Sequence, residues 1–256
     1  MDLLLRLMAA EYRTEVGGKK VAYHNKPSDE AGYRAFRRVV LHLSTIQDRN
    51  GLYAEPLIFE ERWTVAAGSV TPQALQSLHS DFSVAHEPRG GVYRISKRTI
   101  GRIMITNYDP EVLSNEERRR LHEEAQRNLD DEVIVDVRGG YVGGEIPLQG
   151  KFRLRSFSNV IGFLGRAMGE EAEYDVARDP RTPATSENPV STLAIDELES
   201  APRAERAVEY GGRHYAVRAE SGYQWNKKAF MLLSQLYQMT VVKLPQGGAP
   251  SITIAK

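Results

Sequence analysis

The stretch 207–242 constrains the fold more than any other part of the sequence. It reads AVEYGGRHYAVRAESGYQWNKKAFMLLSQLYQMTVV. The first half predicts a β-hairpin, because the glycine pair at 211–212 supplies the positive φ angles that a two-residue primed turn requires. In that register Val208 faces Tyr215, and Glu209 pairs with His214 on the other face. The face shared by alternation holds Val208, Tyr210, Tyr215 and Val217.

The second half of this stretch predicts a helix from Trp225 to Met239. Its apolar residues recur at helical spacing: Trp225, Ala229, Leu232, Leu233, Leu236 and Met239. Phe230 and Tyr237 widen the apolar stripe. A helix this apolar is typical of a protein interior, so we expect it to be a buried core helix beneath the sheet.

Three further helices and several strands are predicted along the chain. The helices span 1–15, the segment from Ser28 or Asp29 to Asn50, and 114–129, the last with a capping box formed by Ser114 and Glu117. Shorter helices are expected at 71–79 and from Ser156 or Ser158 to Met168. Strands are expected at 57–65, 82–85, 92–96, 99–108, 133–137, 151–155 and 192–197, and two short β-type runs in the tail. Residues 19–27 and the Pro-, Ser- and Thr-rich stretch 178–192 are expected to be loops or linkers rather than packed structure.

These elements predict a mixed α+β fold, in which helices pack on a largely antiparallel sheet and a C-terminal β-hairpin precedes a buried helix. We expect a helical and mixed α/β half at residues 1–145 and an α+β half with the hairpin–helix module at 146–256. One compact domain is an open alternative, because a chain of 256 residues suffices for one large domain or two small ones.

Composition limits the classes of function. Lys plus Arg equals Asp plus Glu at 34 each, which argues against a dedicated nucleic-acid binder with a strong basic excess. The chain contains no cysteine, which excludes disulfides, thiolate nucleophiles and Cys-ligated metals. No apolar run approaches the ~18 residues that a membrane-spanning helix needs. We expect a cytoplasmic location from the chain as given, with a periplasmic or outer-membrane-associated location as the alternative.

One set of residues forms a candidate binding surface for an anion or a partner protein. Lys151, Arg153 and Arg155 share one face of a predicted strand, and a helix N-terminus follows at Ser156. Arg166 lies further along that helix. Exposed amide donors and guanidinium groups are the chemistry that binds anions. The alternative is a solvated strand face whose charges pair with the acids at 170–173.

The sequence offers little support for catalysis, a metal or another cofactor, and we expect none of them. The glycine-rich loop 139–151 does not fit a P-loop, because five residues separate Gly144 from Gly150 and Phe152 replaces the magnesium-binding hydroxyl. The six histidines form no HxH or HExxH pair. Acids cluster at 130–132 and at Asp136, and a metal-dependent hydrolase around Asp136 is a further alternative.

The second half of the sequence resembles a family of uncharacterised bacterial proteins that includes envelope lipoproteins. The resemblance rests on the step Arg155-Ser156-Phe157 into an apolar helix, the hairpin pattern V-x-Y-x-G-x-x-Y-x-V that begins at Val208, and F-x-L-L-x-Q-L-x-Q-M at 230–239. It covers roughly residues 151–240 and implies no activity or catalytic residue. This chain lacks a lipobox cysteine, so membrane tethering would require a longer native N-terminus.

From these observations we expect a non-catalytic structural or protein-interaction component of a bacterial assembly, with an envelope-associated assembly as one setting. Its partner would be another protein or a further copy of itself. A regulatory protein that binds a nucleic acid or a nucleotide through the basic strip from Lys151 to Arg166 is the alternative.

Overall fold

A computed structural model describes residues 1–71, 73, 82–126, 131–200, 207–220 and 224–241. Within these residues the chain forms five helices and ten strands, arranged as a mixed seven-stranded sheet and a small antiparallel three-stranded sheet. The predicted α+β class is confirmed, as is the C-terminal hairpin followed by a helix. Residues 72 and 74–79 of the predicted helix at 71–79, and the tail beyond residue 241, lie outside the described residues.

The elements alternate along the chain without internal repetition. The helices are α1 Asp2–Met8, α2 Glu30–Asp48, α3 Asn115–Gln126, α4 Phe157–Ala167 and α5 Trp225–Val241. The strands of the large sheet are β1 Ala9–Val16, β2 Lys19–His24, β3 Tyr53–Ala66, β4 Ser83–Glu87, β5 Val92–Thr106, β6 Glu132–Val137 and β7 Leu148–Leu154. The small sheet contains β8 Ile195–Leu198, β9 Ala207–Tyr210 and β10 Arg213–Val217.

The large sheet has the strand order β2-β1-β7-β6-β5-β3, and β4 pairs with the first part of β5. The pairing of β5 with β6 is parallel, and the other pairings are antiparallel. Strand β7 lies between β1 and β6. Segments from either side of residue 145 therefore share one sheet, and the division into 1–145 and 146–256 is not a division of that sheet.

The N-terminal helix is shorter than the sequence predicts. Helix α1 ends at Met8, and the chain continues as β1 instead of remaining helical to residue 15. The reason is tertiary: Tyr12 pairs with Phe152 of β7, and their rings pack with centroids 5.1 Å apart. Gly17 and Gly18 both have positive φ and turn the chain into β2, so the predicted loop at 19–27 is largely a strand.

Helix α2 is the main core helix and covers one face of the large sheet. Asp29 caps it, accepting a hydrogen bond from the amide of Gly32 at 3.1 Å. Asn50 adopts the left-handed conformation after the helix ends, with φ 55°. The core beneath α2 comprises Leu5, Ala9, Tyr12, Phe36, Val39, Val40, Leu43, Ile46, Ile105, Val135, Val137 and Phe152.

Helix α3 lies on the opposite face and covers only the half of the sheet formed by β3, β5 and β6. Its capping box is confirmed, since the Glu117 amide donates to Ser114 Oγ and the Ser114 amide donates to the Glu117 carboxylate. The cluster beneath it contains Leu57, Met104, Tyr108, Leu113, Ala125 and Ile134. Helix α3 does not cover the part of this face formed by β1, β2 and β7, which carries polar side chains.

The C-terminal hairpin has the predicted register, with Val208 opposite Tyr215 and Glu209 opposite His214. Burial of helix α5 is confined to its first part, where Trp225 and Ala229 are 5% and 0% exposed. That part joins a cluster with Leu7, Val160, Phe163, Leu164 and Leu193. The prediction of burial along the whole helix is wrong for the second half, because α2 occupies the core position beneath the large sheet.

The segment 169–194, called here the strap, has no helix or strand but packs against the protein. Its part 178–192 is the stretch for which the sequence predicts a loop or linker rather than packed structure. Thr182 and Thr192 are 0% exposed. Arg6, also 0% exposed, donates to the carbonyls of Pro189 and Val190. A segment without regular structure is buried here because side chains of α1 and α2 satisfy backbone polar groups of the strap.

Candidate functional site

Two of the five residues of the predicted basic surface lie on the sheet face opposite α2, each beside a buried carboxylate. Lys151 Nζ is 3.4 Å from the Glu132 carboxylate. Arg153 Nε donates to Glu11 Oε1 at 3.0 Å. Both basic groups therefore neutralise carboxylates of the protein.

Arg155 is half-buried. Its guanidinium donates to the carbonyls of Arg6, Leu7, Ala9 and Asn25 at 2.6 to 3.2 Å. It also lies over the ring of Phe163, 4.1 Å from the centroid. Burial lowers the pKa of Arg155 to about 10. This arginine connects α1 and β1 to the loop at Asn25.

The last two residues of the predicted surface also have partners within the protein. Ser156 caps α4 and accepts from the amide of Asn159 at 3.3 Å. Arg166, near the end of α4, lies 3.4 Å from Glu171. The five predicted residues thus contact separate sets of partners along β7 and α4, and the contacts do not assemble them around one shared site.

A groove on the open half of the sheet face contains a denser set of charges. This charged groove has a volume of about 780 Å³ and lies between α3 and the strands β1, β2, β6 and β7. Its polar lining is Arg13, Thr14, Glu15, Lys20, Arg120, Glu124, Glu132, Asp136, Arg138, Gln149 and Lys151. The apolar lining includes Val21, Ala22, Leu121, Ile134 and Val135. Of the predicted surface, the lining includes only Lys151.

The alternation of side chains along each strand determines which charged residues face the groove. Successive side chains of a strand point to opposite faces, and Val135 and Val137 of β6 belong to the core beneath α2. Glu132, Ile134 and Asp136 therefore face the groove. Ile134 pairs with Lys151 of β7, which brings a cation into the same row.

Two buried carboxylates are held by cations at this face. Glu132, 4% exposed, lies 3.2 Å from Arg13 Nη1. Glu11, 5% exposed, accepts from Arg13 Nε at 2.6 Å and lies 2.9 Å from His24 Nδ1. Burial opposes the charge of Glu11, but hydrogen bonds from Arg153 and Arg13 outweigh it and lower the pKa of Glu11. Glu11 is therefore held in the charged state.

Only one of the two carboxylate oxygens of Asp136 has hydrogen-bond partners. Its Oδ2 accepts from the Tyr108 hydroxyl at 2.6 Å and from Arg138 Nε at 2.8 Å. Its Oδ1 is buried and has no hydrogen-bond partner in the described part of the chain. Burial and the bond to Asp136 raise the pKa of Tyr108, so this phenol is a permanent donor at neutral pH. A buried acceptor without a partner is costly, and such groups are uncommon in folded proteins.

The described residues contain no group of three or more His, Asp or Glu side chains that could hold a metal ion. Asp130 lies outside the described residues, and Asp131 is exposed. The histidine closest to the core, His42, instead contacts the carbonyl of Gly143 at 2.8 Å and the Thr182 hydroxyl at 3.2 Å. For the alternative of a metal-dependent hydrolase, the described residues therefore provide no set of metal ligands around Asp136.

A second surface of interest lies on the C-terminal module, which comprises β9, β10 and α5. Val208 and Tyr210 are 62% and 78% exposed, although the sequence places them on an apolar face. On α5, Tyr237 and Met239 are 56% and 65% exposed. The 13 residues of α5 from 229 to 241 include no charged side chain.

No family model, no curated protein and no solved structure matches this chain. No helix among the described residues is long and apolar enough to span a bilayer. Sequence reasoning missed the charged groove, although the alternating charges of β1, β6 and β7 are a signal for a polar sheet face.

Proposed function

We propose that this protein is a non-catalytic interaction component of a larger assembly, and that its C-terminal module pairs with a second copy of the chain. The observation that carries the proposal is the exposed second half of α5, an uncharged helix surface that presents Met231, Tyr237 and Met239 to solvent. A bacterial, envelope-associated assembly is the wider setting that the sequence resemblance implies.

The absence of charge favours a second copy as the occupant. A surface that binds a different protein is commonly tuned by complementary charges, which set the partner and its orientation. A two-fold interface brings the same surface together twice, so like charges would face like charges. The uncharged run from Ala229 to Val241 avoids that repulsion.

The size of the surface sets the expected affinity. Helix α5 has 17 residues and is therefore about 25 Å long. Paired helices of that length, together with the exposed face of β9, fall near the lower end of specific interfaces, below about 1,200 Å² in total. We expect a reversible dimer with a dissociation constant on the order of micromolar.

Sedimentation velocity over a range of protein concentrations tests the proposal. We expect a monomer–dimer equilibrium that Met239→Lys and Tyr237→Lys each shift toward monomer. Ile100→Lys is the matched control, because Ile100 is 72% exposed and lies on β5, away from the module. A protein that stays monomeric at about 100 μM, or that is shifted equally by all three variants, refutes the proposal.

The nucleic-acid or nucleotide alternative has less support. The basic groups of its strip from Lys151 to Arg166 make contacts within the protein, and the Arg155 guanidinium donates to four backbone carbonyls. Replacing Lys151 with Glu would place a like charge beside the buried Glu132, whereas Arg166 and its partner Glu171 are more exposed, so Arg166→Gln is the cleaner test. Under this alternative, salt-sensitive binding of a labelled oligonucleotide would weaken in that variant.

A further inference from the structure

We propose that two copies of the chain join through strand β9, whose outer edges pair antiparallel about a two-fold axis at Val208 and make one six-stranded sheet. This inference rests on the proposed self-association of the C-terminal module and assigns the contact that fixes its geometry. Three observations carry it: an open strand edge, a register that one residue can centre without a charge clash, and exposed side chains on the face that α5 contacts.

Strand β9 lies at the edge of the small sheet. The strand order is β8-β10-β9, so β10 occupies one side of β9, and no strand among the described residues pairs with its other side. All four residues of β9 are exposed. An open edge presents a row of backbone N–H and C=O groups, and such a row can bind a further strand.

The hairpin turn determines which backbone groups point to the open edge. The glycines at 211 and 212 have φ of 59° and 76°, as in a type I′ turn, and the residues that flank such a turn form a hydrogen-bonded pair. Hydrogen-bonded and non-hydrogen-bonded pairs alternate along an antiparallel ladder. The N–H and C=O groups of Val208 therefore point toward β10, and those of Ala207 and Glu209 point to the open edge.

A two-fold axis at Val208 uses these groups best. In an antiparallel pair, residues whose groups point outward lie opposite each other. An axis at Val208 places Ala207 opposite Glu209 of the partner subunit, twice. An axis at Glu209 would place two carboxylates directly opposite each other, which is destabilising. An axis at Ala207 or Tyr210 would pair only one residue of β9 with its counterpart.

The same axis accommodates the exposed side chains of the module. Ile195 and Val217 form a pair in the small sheet and pack against the cluster that includes Ala229 of α5. Alternation places Val208 and Tyr210 on this face as well. The axis of antiparallel edge pairing runs perpendicular to the sheet, so both copies of α5 lie on one face of the six-stranded sheet. Their exposed second halves therefore lie on the side where the side chains of β9 need cover.

Disulfide formation tests the register, because the chain contains no cysteine of its own. Val208→Cys would place two thiols across a non-hydrogen-bonded pair, whose Cα atoms lie about 4.5 Å apart, within the range that disulfides span. Glu209→Cys is the matched control: it is equally part of the exposed strand, but its two copies would lie about 9 Å apart. At about 100 μM protein, we expect oxidation to link Val208→Cys into dimers at least about tenfold faster than Glu209→Cys.

A backbone substitution tests the edge itself. Glu209→Pro removes an N–H that points away from β10 and places a ring at the open edge, whereas Glu209→Ala removes the same side chain and keeps the N–H. In sedimentation velocity, we expect the dimer dissociation constant to rise at least about tenfold for Glu209→Pro and to stay within about threefold of the wild-type value for Glu209→Ala. Val208→Cys tests the pairing even if Glu209→Pro fails to fold.

The results distinguish pairing through β9 from the proposed function as a whole. One refuting result is a dimer that Met239→Lys disrupts but in which Val208→Cys links no faster than Glu209→Cys; it would leave α5 as the interface without β9. Equal dissociation constants for Glu209→Pro and Glu209→Ala would refute pairing through β9 in the same way. A wild-type protein that stays monomeric at about 100 μM would refute both proposals.

Discussion

Replacing Glu173 with glutamine should lower the free energy of unfolding by about 3–5 kcal/mol, the usual cost of removing one charge from a buried ion pair. The Glu173 side chain is 2% exposed and lies 3.2 Å from Arg6 Nη2 and 4.0 Å from Arg37 Nη1. It also accepts from the Tyr33 hydroxyl at 3.1 Å and from Thr192 Oγ1 at 2.8 Å.

The magnitude follows from the surroundings of the two arginines. Their side chains are 0% and 1% exposed, so water cannot replace the lost charge. Burial already lowers the pKa of Arg6, and burial raises the pKa of the neighbouring Asp2, so Asp2 is a weak substitute for the missing carboxylate. The glutamine side chain would also turn an amide donor toward groups that themselves donate to Glu173.

Urea unfolding followed by tryptophan fluorescence measures this loss. Trp225 is a local reporter, because its Nε1 donates to the carbonyl of Thr192 at 3.1 Å. Glu197→Gln is the control: its pair with Arg213 is exposed on both sides, and exposed pairs contribute about 0–1 kcal/mol. Equal small losses for Glu173→Gln and Glu197→Gln would refute the reasoning.

The strap provides a second measurement of the same perturbation. Glu173 lies near the start of the strap and bonds to Thr192 near its end, whereas Arg178 and Arg181 between them are exposed. If Glu173 anchors the strap, trypsin should cleave after these arginines faster in Glu173→Gln than in the wild-type protein. Unchanged cleavage rates would mean that other contacts hold the strap.

Four further substitutions should separate the contributions of buried polar groups and close packing. Burial lowers the pKa of His42. Neutral His42 therefore stabilises the fold above the unfolded-state pKa of about 6.5, and this contribution is lost as pH falls. His42→Gln should therefore reduce the pH dependence of the unfolding free energy measured between about pH 7 and pH 5. Burial raises the pKa of Tyr33 to about 12. Its contribution is therefore present below pH 10 and lost toward pH 12, by about 2–3 kcal/mol, and Tyr33→Phe should remove that slope in alkaline urea titrations. Arg155→Lys should cost about 1–3 kcal/mol in thermal or urea unfolding, because one ammonium cannot serve four carbonyls. Gly150→Ala should cost about 1–3 kcal/mol, since a Cβ would lie 2.3 Å from the Arg13 carbonyl and 2.7 Å from the Tyr12 ring; a melting temperature equal to that of the wild type would contradict that clash.

Features determined by neighbouring residues were predictable from the sequence. The register of the C-terminal hairpin follows from its glycine pair, and the structure has Val208 opposite Tyr215 as expected. The capping box of α3 depends on Ser114 and Glu117, which are three positions apart. In both cases the deciding interaction lies within a few residues, so local chemistry is sufficient.

Features determined by distant partners were not predictable in this way. The chain leaves the helical conformation at Ala9 because β7, about 140 residues later in the sequence, accepts β1 as a neighbour. The strap has the composition of a loop, and its burial depends on the pairing of Glu173 with Arg6, which is distant in sequence. Helices α2 and α5 both carry apolar residues at helical spacing, and each packs against partners that lie far away in the sequence.

The candidate site shows the same distinction within a single strand. Alternation correctly places Lys151 and Arg153 on one face of β7, but it does not reveal that β1 and β6 bring Glu11 and Glu132 to the same face. Strands that neutralise each other's charges in this way have little charge left to attract a nucleic acid. The pairing is incomplete at Asp136, because Tyr108 and Arg138 approach only one of its two carboxylate oxygens and the other is buried.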